Sequence, residues 1–161
     1  EDIVVDATMG NGHDTLFLAK LAKQVYAFDI QEQALEKTQE RLDQAGMKNA
    51  QLILKGHETL DQFVTEAKAG IFNLGYLPGS DKKIITIPSS TLEAIQILLE
   101  RLEKYGKIII VSYYGHDGGL EEKDAVEELI SALPQKEWSV LKYQFINQIN
   151  CPPICYVIEK K

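Results

Sequence analysis

Asp6, Gly10, Gly12 and Asp29 are the first residues whose types and spacing suggest chemistry. The decapeptide DATMGNGHDT, Asp6 to Thr15, follows the apolar run Ile3-Val4-Val5 directly. Asp6 is therefore expected to end a strand at its carboxyl edge, where open α/β sheets bind ligands. Gly10 and Gly12 suit a turn in which backbone approaches a ligand closely and positive φ is tolerated. Asp29 stands 17 residues after Gly12, at the end of the next β-rich run. An acid there can accept hydrogen bonds from both hydroxyls of a ribose. Turn and acid together point to a ligand containing a nucleoside.

Finer spacing discriminates among such ligands. A dinucleotide fingerprint, G-x-G-x-x-G, uses its third glycine for tight helix packing; here Thr15 takes that place. The run reads instead as D-x-x-x-G-x-G, in which Asp6 can reach the amino group of a methionine moiety. S-adenosylmethionine (SAM) is favoured over a nicotinamide or flavin cofactor. Gln31, at the start of the next helix, could line the ribose or the adenine. After the third strand comes Gly56-His57-Glu58. Many methyltransferases place an acid there for the adenine amino group. His57 takes that slot, which leaves the contact to Glu58 or a backbone group, and a surface His-Glu pair opening a helix is the structural alternative.

The acceptor side is expected in Ile71-Phe72-Asn73-Leu74-Gly75-Tyr76-Leu77-Pro78-Gly79, after the fourth strand. Amino methyltransferases often carry an Asn/Asp-Pro-Pro-aromatic stretch here, whose amide and a backbone carbonyl orient the nitrogen while the ring stacks on a base. Asn73 and Tyr76 stand at the matching positions, with Leu74-Gly75 in place of the prolines. Transfer from a sulfonium is an in-line displacement, helped mainly by positioning and by a free lone pair on the nucleophile. An aliphatic amine must first lose a proton. His116, Tyr113 and Tyr114, at the edge of the fifth strand, are the candidates for assisting, and histidine has a suitable ordinary pKa. Asn147-Gln148-Ile149-Asn150-Cys151-Pro152-Pro153 reads as a rigid hairpin connection or as a wall of the acceptor pocket. Trp138 reads as core or interface rather than a stacking platform.

These residues need a scaffold of alternating strands and helices. Ile3–Val5, Gln24–Phe28, Ala50–Leu54, Gly70–Leu74, Lys107–Ser112, Val140–Ile146 and Ile154–Ile158 read as strands. Leu35, Thr38, Leu42 and Ala45 recur at helical spacing, as do Leu92, Ile95, Leu99 and Leu102, then Ala125, Leu129 and Ala132. Such alternation implies a parallel sheet with helices on both faces. The last two strands have a connection too short for a helical crossover, so they should pair antiparallel. The expected fold is α/β: a Rossmann-like class I SAM methyltransferase with a mostly parallel seven-stranded sheet and an antiparallel C-terminal strand. Residues 1–161 are read as one domain. The chain starts almost inside its first strand, and a helix ahead of that strand is expected to be absent from it.

Composition narrows the partners. The net charge of −7 argues against binding long duplex nucleic acid, whose affinity comes from many Lys/Arg–phosphate contacts. It leaves room for a small RNA footprint read by stacking and base-edge contacts. Cys151 and Cys155 flank Pro152-Pro153 with no nearby histidine, so no zinc or other metal site is expected, and both thiols are expected to be buried. No apolar run approaches the roughly 18 residues of a membrane span, and no signal pattern opens the chain. The expected setting is cytoplasmic, away from membranes. Exposed apolar helices and the terminal hairpin are compatible with a homodimer.

Four stretches together, DATMGNGHDT, FNLGYLPGSDK, VSYYGHDGG and the closing NQINCPPICYVIEKK, resemble the MnmM-like (YtqB-like) family, long labelled rRNA methylases. The resemblance runs over essentially the whole chain. It implies a SAM-dependent methyltransferase acting on the anticodon loop of bacterial tRNA, where it methylates the primary amine of 5-aminomethyl-2-thiouridine at the wobble position. It implies cofactor positions at Asn11, Asp29, Gln31, His57 and Glu58, with Asp6 and the Gly10/Gly12 turn beneath. Asn73, Tyr76 and His116 lie in family motifs as the acceptor-side residues. Ser80 departs from the family, where a second glycine after Gly79 is usual. Two alternatives remain beside this reading. One is methylation of another RNA base or a small-molecule amine; the other is a non-catalytic SAM-binding protein, which has no need of a nitrogen-orienting Asn73.

Overall fold

The computed structural model describes residues 2–75 and 88–161. Tyr76 and Ser80 lie outside the described residues. Seven strands, β1 (Ile3–Asp6), β2 (Gln24–Asp29), β3 (Ala50–Leu54), β4 (Ala67–Leu74), β5 (Leu102–Ser112), β6 (Trp138–Tyr143) and β7 (Ile154–Lys160), form one sheet in the order β3-β2-β1-β4-β5-β7-β6. Pairing is parallel from β3 through β5, while β7 runs antiparallel to both β5 and β6. The expected terminal hairpin is present. It begins at Trp138 and its first strand stops at Tyr143, short of the expected Ile146.

Successive strand residues bury on opposite faces. Val5, Phe72, Ile108 and Ile110 join one core with Leu60, Ile95, Leu98 and Val126, while Val4, Val25 and Ala27 join a second core with Ala19 and Leu42. The first core is covered by a short 3₁₀ helix (His57–Gln62), α3 (Pro88–Arg101) and α4 (Gly119–Ser131). The second is covered by α1 (His13–Ala19) and α2 (Glu32–Gln44). Each fully buried Leu, Ile or Phe contributes roughly 1.5–3 kcal/mol, so the two cores hold the sheet against its helices. Close packing reaches the backbone at Gly70, where a Cβ would collide with Leu98 of α3.

Three local expectations are corrected. α4 buries Glu122, Val126 and Ile130, whereas Ala125 and Leu129 are only partly buried. Leu102 opens β5 instead of closing α3. The register then jumps from Ala67↔Leu102 to Ala69↔Lys107, with Tyr105 between at φ 62, so regular pairing begins at the expected Lys107. The thiols are not both buried: Cys151 is exposed and Cys155 intermediate, because Cys151 sits in the connection beyond the sheet. Trp138 is 9% exposed and packs in the first core.

Candidate active site

The carboxyl ends of β1, β2, β4 and β5 converge on one edge of the sheet. The chain leaving β1 is fastened to both neighbours: Ala7 N–H donates to Ile71 O (2.9 Å) and Met9 N–H to Phe28 O (2.9 Å). It then turns through Gly10 (φ 52) and Gly12 (φ 82), and Gly12 caps α1 in the left-handed conformation. A Cβ at Gly12 would stand 2.7 Å from Oγ1 of Thr38, so α2 lies directly against the turn. Thr38 Oγ1 donates to Gly10 O (3.1 Å), and Arg41 Nε donates to Asn11 O (3.0 Å). Thr38 and Arg41 lie three apart on one helix face and fix the turn from behind.

Asp29 is bound into the same unit. Its Oδ2 accepts Gly10 N–H (3.1 Å) and its Oδ1 accepts Gln31 N–H (2.9 Å). Each oxygen retains a second lone pair for an incoming hydroxyl. Gln31 caps α2 without spending its side chain on the helix end.

Asp6 lies beneath the turn, wholly buried. Its Oδ2 accepts Thr15 Oγ1–H (2.6 Å) and its Oδ1 accepts Thr8 N–H (3.2 Å). Burial pushes its carboxyl up to about 7; the two hydrogen bonds oppose that rise, and the charges of Asp14 and Asp29 add to it.

His57 is not a surface residue. It is 5% exposed, with Nδ1 3.1 Å from Ala7 O and its ring 5.6 Å from that of Phe72. A carbonyl only accepts, so Nδ1 carries the proton. Burial holds the imidazole below its ordinary pKa, and the neutral ring braces the 3₁₀ helix against the β1 loop. The neighbouring Glu58 carboxylate folds back onto Gly56, where a Cβ would collide with it.

At the carboxyl end of β4, Asn73 is held at both ends. Its main-chain N–H donates to Thr8 Oγ1 (2.7 Å), and its Nδ2 donates to Asp14 Oδ2. Asn73 pairs with Val111, Leu74 pairs with Ser112, and Tyr113 N–H donates to Leu74 O (3.1 Å). The two stretches Asn73-Leu74-Gly75 and Ser112-Tyr113-Tyr114-Gly115-His116 therefore lie side by side. His116 is partly buried, with Nδ1–H on Asp117 O (3.0 Å) and Nε2 3.8 Å from where a Gly75 Cβ would stand. A Cβ on Gly115 would be 3.3 Å from that of Cys151. The β6–β7 connection, with Asn150 (φ 64) and Cys151 (φ 52) consecutively left-handed, thus closes against this edge. Such strained non-glycine backbone persists only where surrounding structure imposes it.

The structure gathers Asp6, Gly10, Asn11, Gly12, Asp29 and Gln31 around one turn, with His57 and Glu58 at its flank and Asn73 and His116 across from it. Tyr76 lies outside the described residues. Thr8, Asp14 and Arg41 also serve the site without a sequence signal of their own, and Thr38 reads in the sequence only as part of a helix face. The first two lie in plain sight within DATMGNGHDT, and the last two share the i, i+3 spacing of a helix face.

A SAM-like ligand fits this donor set. Asn11 Oδ1 is buried with no hydrogen-bond partner among the described residues, and the Asp29 carboxylate and left-handed glycines offer acceptors and room. Among the described residues no three His, Cys, Asp or Glu side chains are grouped to hold a metal. None of the described helices is long and apolar enough to cross a membrane.

Residues 25–159 match the family described as "Putative rRNA methylase". This chain belongs to the rRNA methylase family. It is 38% identical over 175 residues to the chloroplastic "tRNA (mnm(5)s(2)U34)-methyltransferase" of Arabidopsis thaliana, covering 99% of this chain. The chain spans 64% of that relative's length. A solved "putative methyltransferase" from Streptococcus mutans, in complex with SAH, superposes with a TM-score of 0.95 at 54% identity, covering 100% of this chain and 89% of that one. A "putative rRNA-methylase" from Clostridium thermocellum superposes at 0.97 with 44% identity, covering 99% and 89%. The rRNA methylase family is thus the one that the sequence motifs resemble, and its fold is the expected Rossmann-like methyltransferase sheet.

Proposed function

We propose that this chain is a SAM-dependent N-methyltransferase that methylates the aminomethyl group of 5-aminomethyl-2-thiouridine at the wobble position of tRNA. The observation that carries this reading is Asn73, an amide pinned at the end of β4 opposite the glycine turn. The tRNA named for the plant relative and the SAH bound to the streptococcal structure support the acceptor and the donor. SAH is what SAM becomes once its methyl has left. The whole of residues 1–161 acts as one methyltransferase domain.

SAM supplies an electrophilic methyl on a sulfonium. The protein's own groups do the rest: Asp29 takes the ribose hydroxyls, and Asn11 serves the methionine end, with Asp6 buried beneath it supporting the turn through Thr8 and Thr15. Gln31, His57 and Glu58 border the adenine side. Asn73 accepts an N–H of the amine so that its lone pair faces the methyl. Tyr76 stacks on the base. His116, its Nδ1–H donated to Asp117 O, stands at the amine's edge to assist its deprotonation. The acceptor is the anticodon loop, a small footprint consistent with the charge of −7, and the compartment is the cytoplasm. The proposed assembly is a homodimer through β6, the edge strand on which Val140, Leu141 and Tyr143 are exposed.

Mass spectrometry of wobble nucleosides tests this directly. tRNA carrying 5-aminomethyl-2-thiouridine, incubated with enzyme and SAM, should yield the methylaminomethyl nucleoside. Persistence of the aminomethyl form would remove this acceptor. Analytical ultracentrifugation tests the dimer, which a purely monomeric distribution would exclude.

A further inference from the structure

Asp14 lies in the first turn of α1, outside the residues assigned above to the donor or the acceptor. Its carboxylate reaches across from the glycine turn to the end of β4 and accepts the side-chain amide of Asn73. An ionised carboxylate only accepts, so this contact decides which end of the amide faces it. Nδ2 is turned to Asp14 and Oδ1 to the other side. The Asn73 main chain is separately fixed by Thr8 Oγ1. Neither contact uses Oδ1.

We propose that Asp14 is a positioning residue for the methyl acceptor, holding the Asn73 amide in the one orientation that presents Oδ1 to an amine N–H. The inference deepens the N-methyltransferase reading and rests on it. The two ends of an amide are nearly the same size, so only hydrogen-bond partners distinguish them. With Oδ1 presented, one N–H of a neutral primary amine is taken up and the lone pair is left to face the methyl. A flipped amide would present NH₂, a donor, which would bind the lone pair itself. In the transfer, the lone pair forms the new N–C bond while the C–S bond breaks, its electron pair remaining on sulfur. The sulfonium becomes a neutral thioether, and the nitrogen, now a methylammonium, loses a proton to solvent. The acceptor class that fits is an aliphatic amine bearing an N–H to spare for Asn73.

Asp14→Ala and Asp14→Asn separate orientation from charge. Both are compared with wild type for SAM affinity by calorimetry and for methylation of tRNA bearing 5-aminomethyl-2-thiouridine. Both variants should bind SAM as wild type does. Asp14→Ala should lose roughly 10- to 100-fold in kcat, the worth of one hydrogen bond to a charged group, with a smaller change in KM. Asp14→Asn should recover most of that rate, because its side-chain carbonyl can take the same Asn73 Nδ2–H. A loss in Asp14→Asn as deep as in Asp14→Ala overturns the orientation role in favour of a charge role. Unimpaired turnover in Asp14→Ala overturns it as well, and so does weakened SAM binding in either variant, which moves Asp14 to the donor site. Failure of the wild type itself to methylate that tRNA overturns the functional reading, and the inference falls with it.

Discussion

The carboxylate of Asp29 is held by the N–H of Gly10 at 3.1 Å, so the acid ending β2 and the turn following β1 form a single unit. The same carboxylate orders Gln31 through its other oxygen. Whatever occupies the turn therefore meets an acid whose orientation is already set.

Asp29→Ala should weaken SAM binding by at least about 100-fold, since two hydrogen bonds to a charged acceptor are lost together. Isothermal titration calorimetry measures this. An undiminished affinity would take Asp29 out of the ribose site.

Gly12→Ala should both destabilise the fold and weaken SAM binding. The left-handed conformation costs a non-glycine residue roughly 1–2 kcal/mol, and the new methyl meets Thr38 Oγ1 at 2.7 Å. Thermal unfolding should fall by several degrees, at about 2–4 °C per kcal/mol for a domain of this size. Adding Thr38→Ala removes the side-chain collision but leaves the Thr38 Cα at 2.9 Å and the φ strain, so the double variant should regain only part of the loss. Full recovery would show that φ is immaterial there.

Asp6 gives a pH signature. Its carboxyl titrates near 7 in the folded chain against 3.8 ordinarily, so the folded state holds a proton that the unfolded state has released. Stability from this group is present below about pH 4 and is lost as pH rises through about 7. Asp6→Asn removes that dependence. Urea unfolding at several pH values across this window should show wild-type stability falling relative to Asp6→Asn as pH rises. Parallel curves would refute the assignment.

Asn73→Ala should leave SAM affinity close to that of wild type while methyl transfer falls about 100-fold or more, because the group that orients the nitrogen is gone. Single-turnover methylation alongside calorimetry makes the comparison. Unchanged turnover would remove Asn73 from the active site.

The strands and the glycine turn were legible because each rests on local chemistry: β-rich runs, glycines at a turn, an acid at a strand end. The phase of α4 was not. Its buried face includes Glu122, a type that sequence reasoning assigns to solvent, and that burial depends on Thr91 Oγ1 at 2.8 Å from a different helix. His57 misleads in the same way. In the sequence it reads as an adenine-side residue or as half of a surface pair with Glu58, yet its partner is the carbonyl of Ala7, 50 residues away. Asp14 lies inside the decapeptide DATMGNGHDT without a signal of its own, because its partner Asn73 is 59 residues on. Contacts that join distant segments leave no periodicity to read.

The meeting of Gly115 with Cys151 has an evolutionary corollary. Under the proposed function, donor recognition is encoded almost entirely before residue 60, whereas the opposite wall is assembled from the ends of β4 and β5 and the β6–β7 connection. Drift in the hairpin would then reshape which nucleobase is admitted while the donor pocket keeps its geometry. A lineage of such proteins would change its RNA target without relearning how to hold the methyl donor.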